Sequence, residues 1–364
     1  MLHERVGPAS AMMRRAPVTP PVALLVLVLV ALAPVRVPSG QAAGAPDRPP
    51  FADWLADVRG EALARGLSPE VVDAALAGLA PLDVVVERDR TQAEFTLTLD
   101  AYLARRLTRT TIRTARREYE RHRPLLERVG RAYGVAPAVL VAVWGLESTF
   151  GRFSGVRPTI AALATLAYEG RREAFFRAQL FDALTILDRG DIEPARLKGS
   201  WAGAMGQTQF MPSSYLAYAE DFDGDGRRDI WRSMPDVFAS IANYLKQSGW
   251  TGGERWGREV KLAPGAEDRL AAEAPWRTEG CVAKRDLTVP LPLGRWREIG
   301  VALARGRPLP HGSLEASLLQ AGPRAFLLYR NYEALLAYNC AHAYALSVAL
   351  LSDAIATGQA GPPR

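Results

Sequence analysis

Cysteine is nearly absent, with Cys281 and Cys340 the two in 364 residues. So small a supply gives no support to catalysis by a thiol. In an oxidising compartment an even pair favours a bridge, which would close a loop of about 60 residues and contribute roughly 4 kcal/mol; the alternative is two buried free thiols. Lysine is scarce as well, and arginine carries nearly all the positive charge. No long hydrophobic run exists, since the most apolar stretch, VALLVLVLVALA at 22–33, is too short to span a bilayer. None of the recognised nucleic-acid signatures is present, so the basic character does not by itself indicate a nucleic-acid partner. The glycine-rich stretch 199–215 lacks the spacing of a phosphate-binding loop. No internal repeat is visible.

What remains is an ordinary globular composition, 48% hydrophobic and 23% charged, with ample core for one large domain or two to three smaller ones. Net charge is +6 and the isoelectric point about 9.5, which suits nucleic acid, anionic lipid or an acidic glycan. Arg14 and Arg15 precede the apolar run, and small residues follow at Ala42, Ala43 and Gly44. Residues 1–43 therefore read as a signal peptide and linker, predicting an exported, periplasmic protein, with an uncleaved anchor as the alternative. No cysteine lies near that cleavage site, so a lipid anchor is not expected.

The remainder is organised around VAPAVLVAVWGLESTFGRFSG at 135–155. Pro137 suits the first helical position, 138–146 is apolar on every side, and Gly151 is a natural stop. Glu147 falls in the last turn, at the negative end of the helix dipole and among Trp144, Leu146 and Phe150. Both effects disfavour the charged form and raise the pKa, as a general acid at neutral pH requires. The bland alternative is a partly exposed glutamate on a core helix.

Around it, 51–66 and 68–79 have helical spacing, and 89–123 reads as one long arginine-rich helix with Phe95, Leu99 and Leu103 on a stripe. Its arginines, Arg105 and Arg106 included, read mostly as a solvated face, with attraction of an acidic polymer as the alternative. Helices are expected again at 158–166 and 171–187. GSWAGAMGQTQFMPSSY at 199–215 breaks the pattern. Its glycines permit close backbone approach, and Ser200, Gln207 and Gln209 offer neutral hydrogen-bonding groups beside Trp201, Phe210 and Tyr215, as a sugar-binding wall would. Met205 and Met211 read as packing.

DFDGDGRRD at 221–229 has EF-hand spacing, with Asp221, Asp223, Asp225 and Asp229 as ligands of a weak structural calcium site. Arg232 stands where a bidentate glutamate belongs, and Asp236 would substitute only in a longer loop. A self-capped Asx turn is the alternative. A helix follows at 237–249. Short segments then suggest a small β-containing accessory subdomain at 251–324, and helix returns from 324 to 357.

ESTFG at 147, GSWAGAMGQTQFMPSSY at 199, DFDGDG at 221, ANYLKQSGW at 242 and AYNCAHAYALSV at 337 together resemble the lytic murein transglycosylase B family, glycoside hydrolase family 103. DVVVERDRTQAEF at 83 is similar to that family's N-terminal region. The resemblance implies a mainly α, lysozyme-like (goose-type) core at 131–250 completed by 325–357, preceded by a helical part at 51–130. It implies cleavage of the MurNAc–GlcNAc bond of peptidoglycan, with Glu147 as the single acid/base. It places Ser148, Ser200, Gln209, Tyr244, Tyr338, Asn339 and Tyr344 along the cleft and sets Arg171 and Arg172 against substrate carboxylates. No cofactor is required under this reading, and a monomer that joins cell-wall enzyme complexes is expected.

Ordinary glycosidases need two carboxylates. A lytic transglycosylase needs one, because the muramyl C6 hydroxyl replaces water. Glu169 or Asp182 could still fold into range and supply a second. A muramidase using water and a non-catalytic peptidoglycan-binding protein are the competing functions.

Overall fold

A computed structural model describes residues 48–91 and 97–358. The expected signal segment with Arg14 and Arg15, the small residues at 42–44, and Phe95 lie outside the described residues. Fifteen α-helices and seven strands form among them. None of those helices is by itself long and apolar enough to cross a membrane.

One core is built from α4 (Leu99–Arg106), α5 (Arg109–Tyr133), α6 (Pro137–Ser148), α10 (Met234–Gln247), α14 (Arg330–Tyr338) and α15 (His342–Ala356). α6 sits at its centre, packed against α5, α10 and α15, and ten of its twelve residues are buried. Each of its large side chains gains about 1.5–3 kcal/mol from that burial, which explains why a helix with no polar face is stable here. A second core gathers α1 (Phe51–Ala64), α2 (Pro69–Leu76), α3 (Asp83–Thr91), α7 (Thr159–Glu169), α8 (Glu173–Asp188) and α9 (Pro212–Tyr218). The sequence thus alternates between the two cores, and the segments that cross between them line the site described below.

The expected single helix over 89–123 is in fact three elements. The side-chain oxygens of Thr98 and Thr108 accept the amides of Ala101 and Thr111 at 3.3 and 3.1 Å. Each therefore starts a new helix, and threonine caps override a continuous apolar period.

The accessory part is a five-stranded antiparallel sheet in the order β4 (Leu291–Pro292), β6 (Glu315–Ala321), β7 (Arg324–Leu328), β3 (Gly257–Leu262), β5 (Val301–Leu303). Trp296 of α13 (Leu293–Ile299) is wholly buried in a third core under this sheet, and its indole donates to the Ala316 carbonyl. Residues 324–328, read from the sequence as the start of helix, form β7 instead. Their register against β6 runs from Ser317 opposite Leu328 to Ala321 opposite Arg324.

A small second sheet pairs β1 (Arg157–Pro158) with β2 (Lys198–Gly199) and ties the turn after α6 to the 199–215 segment. At this junction Gly155 has φ +101°, and a Cβ there would fall on the Gly199 backbone. Gly155→Ala is expected to cost about 3 kcal/mol or more in urea unfolding, because backbone cannot swing aside as a side chain can. Activity should fall with it, since Ser200 and Gln209 hang from the same junction. Wild-type stability in that variant would mean that the two backbones are not held in contact.

Candidate active site

α6 does not stop at Gly151 as its sequence suggests. Thr149 and Phe150 turn it aside two residues earlier, with φ of 53° and 58°, in a region non-glycine residues rarely adopt. Two contacts hold this turn. The Phe150 ring folds back onto Gly145, and the Gly151 amide donates to Ser148 Oγ at 3.1 Å. Strain of this kind, of order 1–3 kcal/mol per residue, persists only where the surroundings enforce it. Its effect is to leave Glu147 at the mouth of an otherwise sealed helix.

Glu147 keeps some exposed area, yet burial of its carboxyl raises the pKa to about 7. Tyr344 and the Arg106 guanidinium oppose that rise, in that order of size. The Tyr344 hydroxyl is buried and makes no hydrogen bond of ordinary geometry, so its dipole is free to serve the carboxyl. Arg106 donates to the Leu146 carbonyl at 2.7 Å, beside Glu147 at the helix end. No other carboxylate is among the groups acting on Glu147. Glu169 is engaged by Arg90 at 3.1 Å, and the charge acting on Asp182 is that of Arg65.

The facing wall is aromatic. Tyr338 lies 4.6 Å from Tyr244 and stacks at 6.4 Å on Tyr344, while Phe210 packs on both Tyr244 and Tyr338. The hydroxyls point inward: Tyr244 donates to the Ala337 carbonyl and Tyr338 to the Thr208 carbonyl, both at 2.7 Å. Burial and the nearby Glu147 hold the phenols of Tyr338 and Tyr344 well above their ordinary pKa. Gln209, with φ 52°, spends its amide protons on the Ser154 and Gly206 carbonyls. Ser200 Oγ accepts the Ala204 amide at 3.1 Å and shapes the same loop. Exposed Asn339 ends α14, next to the Cys281–Cys340 disulfide, whose Cα atoms are 6.4 Å apart.

The match to the transglycosylase SLT domain model runs over residues 50–353. The chain belongs to the transglycosylase SLT family. SltB3 from Pseudomonas aeruginosa, solved in complex with NAG-anhNAM-pentapeptide, superposes with a TM-score of 0.78 at 44% identity over 84% of this chain and 80% of that chain. The Escherichia coli lytic transglycosylase SLT35 in complex with calcium gives 0.69 at 27% identity, over 85% and 93% of the two chains. Membrane-bound lytic murein transglycosylase B of Escherichia coli strain K12 is 41% identical over 138 residues. That match spans 38% of this chain and 38% of the length of that curated relative.

Several residues expected along the cleft have their polar atoms engaged within the protein. Ser148 is wholly buried, donating to the Trp144 carbonyl while it accepts Gly151. Gln207 is 8% exposed and braces the loop, taking the Trp144 indole proton at 2.7 Å and donating to the Trp231 carbonyl at 2.9 Å. Both are struts, since their polar atoms are used internally. Arg171 and Arg172 are exposed and paired with Asp89, so their charge is already met. Arg106, read from the sequence as solvated surface, reaches the turn at Glu147 instead; a guanidinium on a short, newly capped helix leaves no signal in periodicity.

In the acidic loop, carboxylate oxygens of Asp221, Asp223 and Asp236 lie within 4.8 Å of one another. Asp225 and Asp229 stand outside that group and cap the backbone at Arg227, Trp231 and Arg232. Asp236 has no exposed area, and burial with the charge of Asp223 raises its pKa to about 6. An all-oxygen, anionic donor set with one buried member fits a hard cation such as calcium.

Proposed function

We propose that this chain cleaves the β-1,4 bond between MurNAc and GlcNAc in peptidoglycan and leaves 1,6-anhydro-MurNAc ends. The observation that carries this reading is a single carboxyl group, Glu147, poised at about 7 against a wall of neutral tyrosines. In its acid form Glu147 gives its proton to the glycosidic oxygen as the bond to C1 breaks and GlcNAc departs. The carboxylate then takes the proton of the muramyl C6 hydroxyl while O6 bonds to C1. Protons balance without water, and Glu147 ends as it began. Ring faces of Tyr244 and Tyr338 suit stacking against sugar, and nearby fixed dipoles stabilise the oxocarbenium-like state. The SltB3 complex with a NAG-anhNAM-pentapeptide supports the same product class and a substrate that carries stem peptides. Mass spectrometry of digested sacculi tests the reading. Anhydro ends are expected, whereas reducing ends would make the protein a muramidase.

The same reading places the protein in the periplasm as a monomer, with calcium bound at Asp221, Asp223 and Asp236. The ion would neutralise the acidic loop and take no part in the chemistry. At several millimolar calcium, a melting temperature higher by a few degrees than in chelator is expected, and Asp236→Asn should abolish the difference. An unchanged melt would leave the loop as a turn closed by its own Asp221, which already accepts the Gly224 and Gly226 amides.

A further inference from the structure

A cavity of about 180 Å³ opens beside the last turn of α6. Arg105, Arg106, Arg152, Thr110, Thr114 and Thr149 line it, and no carboxylate does. None of the three arginines forms an ion pair among the described residues. Arg106 and Arg152 donate only to the backbone carbonyls of Leu146 and Thr149. Arg106 Nε is buried there with no partner. Thr114 is 8% exposed, lines the same space, and its hydroxyl makes no hydrogen bond among the described residues. The amides of Arg109 and Thr110, in the first turn of α5, have no intrahelical acceptor either. Positive charge and hydroxyl groups line one small space, and a buried donor left unsatisfied, here Arg106 Nε, is costly unless a ligand meets it.

We propose that this cavity binds a carboxylate of the substrate's stem peptide, which makes Arg105, Arg106 and Arg152 specificity-determining residues. The inference rests on the glycan-cleaving reading above and assigns one more part of that substrate. A planar oxyanion suits forked guanidinium donors. The site also abuts the turn that carries Glu147, where a peptide leaving the muramyl unit beside the scissile bond can reach. Arg171 and Arg172 are poorer candidates, being already neutralised by Asp89. Occupation has a second effect. An anion at Arg106 screens the one cation that favours the charged form of Glu147, so the acid form needed to start the reaction is stabilised when a correct substrate is seated.

Binding decides the question. The Glu147→Gln protein, which keeps the cavity, is titrated with peptide-bearing glycan strands and with the same strands stripped of peptide by an amidase. Peptide-bearing strands should bind about tenfold more tightly, and adding Arg105→Ala with Arg152→Ala should erase that difference while binding to bare strands stays the same. Arg305→Ala with Arg307→Ala, an equal loss of charge at an exposed loop after β5, should leave the preference intact. Equal affinity for both strand types, or a preference that survives loss of Arg105 and Arg152, overturns the proposal. Inorganic phosphate is the second probe. Competition confined to peptide-bearing strands supports a stem carboxylate, and equal competition on both marks a free-anion site and overturns it. Failure of the wild-type protein to release anhydro ends from either strand would sink the glycan-cleaving reading alone, because the binding comparison stands without turnover.

Discussion

Glu147→Gln should reduce release of anhydro ends by about 10⁴-fold while binding of strands changes by less than about threefold. General acid–base loss alone is commonly about 10²–10⁴, and in the proposed mechanism one carboxyl serves both halves of the reaction. The amide preserves the shape of the site but can neither give nor take the proton. Retention of a tenth of wild-type activity would leave only about 1.4 kcal/mol of barrier in question and remove Glu147 from the chemistry. The same substitution carries an opposite effect on stability. Burial raises the folded pKa of Glu147 from its ordinary 4.5 to about 7, so the folded chain holds that proton more tightly than the unfolded one. Ionisation therefore costs stability as pH rises from about 4.5 through 7, on the order of 3 kcal/mol once complete. The Gln variant escapes that cost. Its melting temperature should exceed that of wild type at pH 8 and converge with it near pH 4. Parallel curves across that range would mean that the carboxyl is not buried in the folded protein.

Reduction of Cys281–Cys340 should remove about 4 kcal/mol, since the bridge closes residues 59 apart in the sequence. Urea unfolding with and without reductant measures it, alongside a Cys281→Ala, Cys340→Ala double variant. Activity should fall before global unfolding, because Cys340 follows Tyr338 and Asn339 directly and its partner caps the start of α12 (Val282–Arg285). Mass analysis of non-reduced protein should find both thiols linked. Free thiols, or a urea midpoint indifferent to reductant, would discard the prediction without touching the fold.

The central helix and its glutamate were legible because burial on all sides is written in composition, and a lone acid at the end of such a run is conspicuous. The aromatic wall and the 199–215 loop were legible from motif order. Individual tasks were not. Ser148 and Gln207 carry the same side chains whether they meet a sugar or brace a turn, and only the position of Trp144 decides between them. Threonine caps at Thr98 and Thr108 broke a helix whose apolar period runs on without a pause. β7 looked helical because ALLAY in α14 follows closely after it. Asp236 joined the acidic loop from fifteen residues beyond Asp221, a spacing outside the twelve-residue pattern. Arg106 was hidden among arginines that do face solvent.

The position of Tyr344 has a consequence for when the protein becomes active. Glu147 is made early, but the low-dielectric pocket that tunes it is closed by α15, the last helix among the described residues. A chain emerging from the ribosome, or threaded amino end first through a translocation pore, displays Glu147 as an ordinary solvated carboxylate until almost two hundred further residues have followed. On the proposed mechanism, cleaving power then arrives with the docking of α15. By the same mechanism the protein stays inactive throughout its own synthesis, and a protease that clips α15 would silence it again without approaching Glu147.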